Sequence, residues 1–462
     1  MEEGGSDHRN GDLGQESSNK KPRVGKFITE QEIQEEFSHH EVGVARINNG
    51  SFGSCPKSVL SAQREWQIRF LRQPDEFYFN TLRDGIFRSR VFVKNFINAD
   101  HVEEVSLVDN ATTGAAIVLQ HIGRGFLEGK YARGESVVLL HCAYVAVKKS
   151  IHAYLTRSGG SVIEVHLPYP IKSKGDIITE FRKGLEMGKL KGGKVRLAMI
   201  DHISSMPSVV IPIKELVKMC RDEGVDQIFV DAAHAIGSVE VDVKDVGADF
   251  YVSNLHKWFF CPPSVAFLYC KKPVSEHNHE NNSGLHHPVV SHEYGNGLPI
   301  ESAWIGTRDY SPQLVIPKVF EFVERFEGGI RGIMKRNHET VLRMAKMLAD
   351  AWETVLGTPE EMCAAMAMVG LPSRLGVTSV VDASNLRSYL RTLYKVEVPI
   401  YYHDLKDDEE AAMDKNGVIT GYARISHQIY NTPEDFDKLR NAINELVENH
   451  FVCKNLSTDQ ND

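Results

Sequence analysis

From about residue 100 onward the chain alternates two patterns. Amphipathic stretches with apolar residues three and four apart are separated by short runs of β-branched and aromatic residues, as expected of strands buried between layers of helix. VRLAMI (195–200) predicts a strand, IPIKELVKMCRDEG (211–224) an amphipathic helix closing at a glycine, and QIFVD (227–231) the next strand. ADFYVS (248–253) and SVAFLYC (264–270) predict two more, on either side of LHKWFFCPP. Over roughly 180 residues this alternation predicts an α/β domain whose right-handed crossovers wind the strands into one mainly parallel sheet. After about 310 the pattern changes. SPQLVIPKVFEFVERF and HETVLRMAKMLADAWETVL predict long helices, short strands follow, and TPEDFDKLRNAINELVENH predicts a terminal helix. Thr432 caps that helix, and Glu434 and Asp435 make its first turn acidic. The expected organisation is a disordered tail (1–26), an N-terminal segment with a large domain (27–310), a smaller α+β C-terminal domain (311–450) and a flexible end (451–462).

Composition narrows the function classes. The 462 residues carry 25% charged side chains and a formal charge of −9, with no basic block to neutralise phosphates, so no nucleic-acid partner is expected. No apolar run approaches the roughly 20 residues of a membrane span, so no membrane partner is expected either. The first 26 residues hold almost no large apolar side chains and cannot offset the entropy of ordering. Their KKPR (20–23) has the character of a short nuclear-import patch, although a solvated tail is the simpler reading. The seven cysteines form no C-x-x-C pair, which fits a reducing compartment. The expected location is therefore the cytoplasm, with the nucleus as an alternative. His277, His279, His286, His287 and His292 crowd one polar stretch, but no ligand spacing on a predicted element accompanies them. A surface loop and no metal site is the expectation.

In SNLHKWFFCPPSVAFLY (253–269) a lysine sits among aromatic residues beside an apolar run. Lys257 either snorkels to solvent or lies in an apolar pocket built by Trp258, Phe259 and Phe260. Such a pocket would disfavour its ammonium form and make it a usable nucleophile. Asp231 favours the second reading. It ends its strand 26 residues earlier, and in an open α/β sheet the carboxyl ends of the strands face one crevice. A carboxylate and a Schiff-base lysine in one crevice are what pyridoxal 5'-phosphate requires: the acid keeps the pyridine nitrogen protonated and the lysine carries the aldehyde. DNATTGAAIVL (109–119) places Asn110, Thr112 and Thr113 at the start of a helix, where amides, hydroxyls and the helix dipole converge on a phosphate.

The ordered set NATT (110–113), DAAHAIG (231–237), HKW (256–258), WIGTRDY (304–310) and RISHQIYNT (424–432) resembles the class V aminotransferases of fold type I. INNGSFG (47–53), WIGTRDY and HKWFFCPP are similar to their isopenicillin N epimerase-like branch, which includes the plant L-cysteine desulfhydrases. The resemblance runs from about residue 26 to about 450. It implies Lys257 as the Schiff-base lysine, Asp231 on the pyridine nitrogen and His234 near the phenolic oxygen. Thr112, Thr113 and His256 would hold phosphate, with Asn254 standing where related enzymes carry serine. Arg424 would grip the substrate carboxylate, and Asn49 of INNGSFG would contact substrate. Thr307 would reach the cofactor of a second subunit, implying a homodimer. The ring-stacking residue falls in LHCAYVAV and is either His141 or Tyr144. Ser205 stands where relatives carry an asparagine that bonds the ring.

The same resemblance implies α,β-elimination on L-cysteine, giving hydrogen sulfide, pyruvate and ammonia, with cysteine desulfuration and α-carbon epimerisation as the alternatives. Desulfuration needs a mobile thiolate between Lys257 and Arg424, where only Cys261, Cys270 and Cys363 occur, flanking or within predicted buried structure. Epimerisation needs a second acid, for which Tyr144, His202 and Tyr401 are the candidates.

Overall fold

The computed structural model describes residues 27–272, 284–406 and 410–456. Its strands are β1 (Ala45–Arg46), β2 (Val105–Val108), β3 (Ser136–Leu140), β4 (Ser161–Val165), β5 (Val195–Asp201), β6 (Gln227–Asp231), β7 (Phe250–Asn254), β8 (Ala266–Cys270), β9 (Met366–Gly370), β10 (Val396–Glu397), β11 (Ile400–Tyr402), β12 (Met413–Asp414), β13 (Gly417–Val418) and β14 (Gly421–Ser426). Strands β2 to β8 form one seven-stranded sheet in the order β2-β8-β7-β6-β5-β3-β4. From β4 to β7 the pairings are parallel. Alternate residues of these strands serve two cores: Val138, Ile200 and Val230 pack on one face, Leu139, Met199 and Phe229 on the other. Every residue of β3 and β6 except Gln227 is buried, as a sheet covered on both faces requires.

Within this mainly parallel sheet, β8 runs antiparallel to both β7 and β2. Only residues 255–265 join β7 to β8, too few for a parallel crossover of a dozen or more residues with its own helix. The lysine therefore sits in a tight reversal between two antiparallel strands.

The small domain is a three-stranded antiparallel sheet, β11-β14-β9, covered by the helices Gly329–Trp352, Val380–Leu393 and Pro433–Glu448. Thr432 and Asp435 form a capping box at the last of these. The N-terminal segment divides between the two domains. β1 pairs in parallel with β10, and Ala45 and Ile47, 1% and 0% exposed, belong to the small-domain core with Val396, Ala423 and Leu439. The described chain therefore enters the small domain only briefly, since Ile33 and Phe37 before this strand and Cys55 and Val59 after it pack in the large-domain core. The expected helix over 311–326 is divided into Ser311–Leu314 and Ile316–Val323, since Pro317 lacks the amide needed to continue an unbroken ladder.

Candidate active site

The carboxyl ends of β5, β6 and β7 meet the loops that follow them at a cavity of about 190 Å³, lined by residues that include Lys257, Asp231, Asp201, His234 and Tyr144. Lys257 stands on a single helical turn, Leu255–Trp258. Two glycines press on this turn. A Cβ on Gly53 (φ +72°) would come within 1.8 Å of the His256 carbonyl oxygen, and one on Gly237 (φ +82°) within 2.4 Å of the Trp258 carbonyl oxygen. Only glycine combines that backbone conformation with such close approach. The Asn49 amide donates to the Lys257 carbonyl at 3.0 Å, and the Asn49 Oδ1 accepts from Tyr430 at 2.8 Å. Both amide atoms are thus engaged outside the cavity, so Asn49 holds the lysine's backbone in place instead of projecting toward substrate as expected.

The exposure Lys257 retains is toward the cavity. Its Nζ lies 3.2 Å from His234 Nε2, and the Trp258 indole N–H donates to His234 Nδ1 at 3.4 Å. An imidazole that accepts at Nδ1 carries its proton on Nε2 when neutral, so Lys257 must accept as the free amine. The electrostatics agree. Burial, then the Arg424 charge, push the Lys257 pKa down to about 7, against a smaller opposing pull from Asp231. Burial, then Lys257, hold His234 well below its usual range. The aromatic pocket expected around the lysine is only partly present. Trp258 touches the site through His234. Phe259 packs on Phe96 and Phe320, and Phe260 on Phe37 and Phe322, both inside the core.

Asp231 is 4% exposed, and its Oδ1 accepts the Ala233 amide at 3.1 Å. Burial raises its pKa, while Ala233 and Lys257 pull it back. At the phosphate end, the helix Ala111–Leu127 begins with Asn110 as cap, its Oδ1 accepting from the Thr113 amide at 2.9 Å and hydroxyl at 3.2 Å. Thr113 is therefore tied back to the cap, and Thr112 is the threonine that lines the cavity. The Asn254 Oδ1 accepts the Ala111 amide at 2.8 Å and joins β7 to this helix start. His256 lines the cavity with Nδ1 bonded to the Val265 carbonyl at 3.0 Å, and burial pushes it down to about 4.

Arg424, on β14, is 2% exposed. Nη1 donates to the Ser205 carbonyl and hydroxyl at 3.1 and 2.9 Å. Nη2 donates to Asn48 Oδ1 at 3.1 Å and to the Ser51 hydroxyl at 2.8 Å. The Tyr401 ring lies 5.8 Å from the guanidinium carbon, within cation–π range. Nε is buried without a partner, and among the described residues no carboxylate forms an ion pair with Arg424. A buried cation compensated only by neutral groups favours an incoming anion. Ser205, expected to bond the cofactor ring, lines the cavity and also accepts twice from Arg424, through its carbonyl and its hydroxyl.

Of the two ring-stacking candidates, Tyr144 lines the Lys257 cavity. His141 lines an adjoining cavity that shares Tyr144 and Ser205: its Nδ1 accepts the Leu167 amide at 3.2 Å, and its ring stacks on His166 at 4.8 Å. Thr307 is exposed and outside the cavity of its own chain. Its neighbour Arg308 pairs with Asp109, which precedes the phosphate-end cap. His202 is bonded to the Tyr251 hydroxyl at 2.7 Å and does not line the cavity. In the histidine-rich stretch, His286 bonds Glu301 at 2.8 Å, while His277 and His279 lie outside the described residues. All seven cysteines are described, and none lines the Lys257 cavity. Burial raises their thiols, to about 12 at Cys270 and Cys363.

Asp201, Asn48 and Ser51 were not singled out by motif reasoning. Asp201 ends β5 as Asp231 ends β6, so the strand-end rule that selects one selects both. Asn48 and Ser51 lie within INNGSFG, but their role depends on an arginine more than 370 positions away.

Comparison with known proteins places this geometry. The chain is 64% identical over 438 residues to the L-cysteine desulfhydrase of Arabidopsis thaliana, an alignment covering 95% of each chain. It is 24% identical to the isopenicillin N epimerase of Streptomyces clavuligerus over 87% of this chain and 95% of that one. A solved cysteine desulfurase from Thermococcus onnurineus NA1 superposes with a TM-score of 0.65 at 19% identity, covering 88% of this chain and 95% of that one, and so shares the fold. The model of the class-V aminotransferase family matches residues 80–439, and the chain belongs to that family.

Proposed function

We propose that the protein is a pyridoxal 5'-phosphate-dependent L-cysteine desulfhydrase, a carbon–sulfur lyase that releases sulfide from L-cysteine and leaves pyruvate and ammonia. One observation carries the reading: a buried lysine bonded to a neutral histidine shares a cavity wall with the serines that cradle a buried arginine having no ion-pair partner among the described residues. The near full-length identity to a plant L-cysteine desulfhydrase supports it.

The donor set suits the cofactor. Lys257 offers an amine, Asp231 a buried acid for a ring nitrogen, and Tyr144 an aromatic face. Thr112, His256 and Asn254 line the cavity at the start of a long helix, where a phosphate is favoured. When bound, pyridoxal phosphate supplies an aldehyde for amines and a protonated ring that takes up negative charge from the substrate α-carbon. Arg424 binds the substrate carboxylate and thereby fixes which substituent of the α-carbon points at Lys257. Lys257 Nζ, once free, takes the α-proton, and His234 holds that nitrogen in line through Nε2. Asp231 keeps its charge beside the ring. A persulfide route would require a thiol at the cavity, and no cysteine lines it. Of the three side chains considered for returning a proton from the opposite face, only Tyr144 lines the cavity.

Purified protein given L-cysteine should release sulfide and pyruvate in equal amounts. Sulfide accompanied by alanine would overturn the assignment in favour of desulfuration. Lys257→Ala should lower sulfide release by about 10³-fold or more, as expected for loss of both an amine anchor and a general base.

The protein also pairs with a second copy in this proposal. Thr307 is exposed, and Phe79, 70% exposed, packs edge-on against Trp304 at 5.9 Å beside a cavity of about 630 Å³. Sedimentation should give twice the 51.9 kDa chain mass, and Phe79→Asp should shift the protein toward monomer. A wild-type monomer at micromolar concentration would exclude the pairing.

A further inference from the structure

Asp201 and Asp231 are register partners on neighbouring parallel strands, so their side chains leave the sheet on the same face, from strands roughly 4.8 Å apart. Each is 4% exposed and both line the Lys257 cavity. Their surroundings differ. Asp231 accepts a backbone amide at 3.1 Å and feels the Lys257 charge. Asp201 has an Oδ2 that is fully buried without a partner. Cys142 adjoins Asp201 from the turn after β3, and Tyr144, His234 and Lys257 share the cavity. Arg424, the other buried cation, is bonded to Ser205 on the loop after β5. None of these is an ion-pair partner of Asp201 among the described residues.

Two adjacent buried carboxyls cannot both ionise at ordinary pH, because like charges at short range in a poorly solvated site repel strongly. The proton is better placed on Asp201, whose Oδ2 is buried without a partner, because Asp231 has the nearby Lys257 charge to favour its anion. We infer that Asp201 is a positioning residue that keeps its proton and shares it with Asp231, so that the pair holds one negative charge and Asp231 faces the cofactor nitrogen as the ionised member. The last clause rests on the cofactor reading above, but the proton's location does not. Burial and then Asp231 raise the pKa of Asp201 well above its ordinary 3.8.

The sign follows directly. Above pH 3.8 the unfolded chain loses this proton while the folded chain keeps it, so folding becomes costlier as pH rises toward the folded pKa. Asparagine mimics the protonated acid and has no proton to lose. In the full-length chain without cofactor, Asp201→Asn should melt above wild type at about pH 8, with the gap narrowing steadily as pH falls toward about 4. A variant melting below wild type at every pH, or with a pH-independent gap, would overturn the proposal. With cofactor, Asp201→Asn should bind pyridoxal phosphate within about threefold of wild type while Asp201→Ala binds about tenfold or more weakly, a gap of roughly 1.4 kcal/mol. An asparagine variant as weak as the alanine one would overturn the sharing with Asp231. Wild-type protein that binds no pyridoxal phosphate would sink the cofactor reading instead, and the melting comparison would still decide where the proton sits.

Discussion

At the residue scale, Lys257 and Arg424 are two basic side chains that the fold buries, and among the described residues neither forms an ion pair with a carboxylate. The Arg424 charge is the second cause, after burial, of the lowered Lys257 pKa, and burial lowers the Arg424 guanidinium itself. A free amine that titrates near 7 in place of 10.5 makes capture of an aldehyde pH-dependent in a definite direction. Below the shifted pKa the ammonium form dominates and is not nucleophilic. The rate at which the cofactor-free protein captures pyridoxal phosphate should therefore fall about tenfold per pH unit below 7 and level off above it, as followed by absorbance. Arg424→Lys keeps a charge but loses the planar fork. Loss of a paired carboxylate contact worth about 1.5–3 kcal/mol should raise KM for cysteine by about 10- to 100-fold, with a smaller change in kcat. Side-chain identity at this scale was readable in the chain for Lys257, Asp231, His234 and Arg424, because each sits in an ordered motif. What Asn49 and Thr113 do was not, since each spends its polar atoms on a partner, Lys257 or Asn110, whose position only the folded backbone fixes.

At the element scale, the decisive feature is the reversal between β7 and β8. Apolar runs on either side of LHKWFFCPP correctly suggest two strands, but hydrophobicity carries no strand direction, and the short connection makes the pair antiparallel. The one-turn helix that results has no length of its own to stabilise it. It is held by contacts from outside: Gly53, Gly237 and the Asn49 amide. Gly237→Ala would place a methyl against the Trp258 carbonyl at a left-handed φ. It should cost about 1–3 kcal/mol, measured as a lower urea midpoint, and should slow cofactor capture because the lysine turn must shift. The divided helix over 311–323 has an equally local cause in Pro317, a signal that periodicity alone overrode.

At the scale of the whole molecule, the N-terminal strand ties the two domains. The organisation expected from the sequence leaves residues 45–46 undivided from the rest of the 27–310 segment. Their actual partner, β10, lies some 350 residues on, beyond the reach of any local pattern. Ile47 is fully buried in the small-domain core, and its carbonyl accepts from the Ser426 amide at 2.9 Å, two residues after Arg424. Ile47→Ala should destabilise the protein by about 2–5 kcal/mol, seen in denaturant unfolding, through lost burial and an unfilled cavity. Because Asn48 is the next residue, the same substitution should also raise KM.

The cradle of Arg424 draws Asn48 and Ser51 from near the start of the chain and Ser205 from its middle, 376, 373 and 219 positions away. Contacts this distant in sequence form late, after the loop entropy they close has been overcome by more local structure. During synthesis, at about 5–20 residues per second, the whole sheet that carries Asp231 and Lys257 leaves the ribosome well before residue 424 does. A nascent or prematurely ended chain can therefore have its lysine and acid in place while nothing yet holds the carboxylate of an amino acid. Turnover of substrate thus reports that translation has run to the last strand.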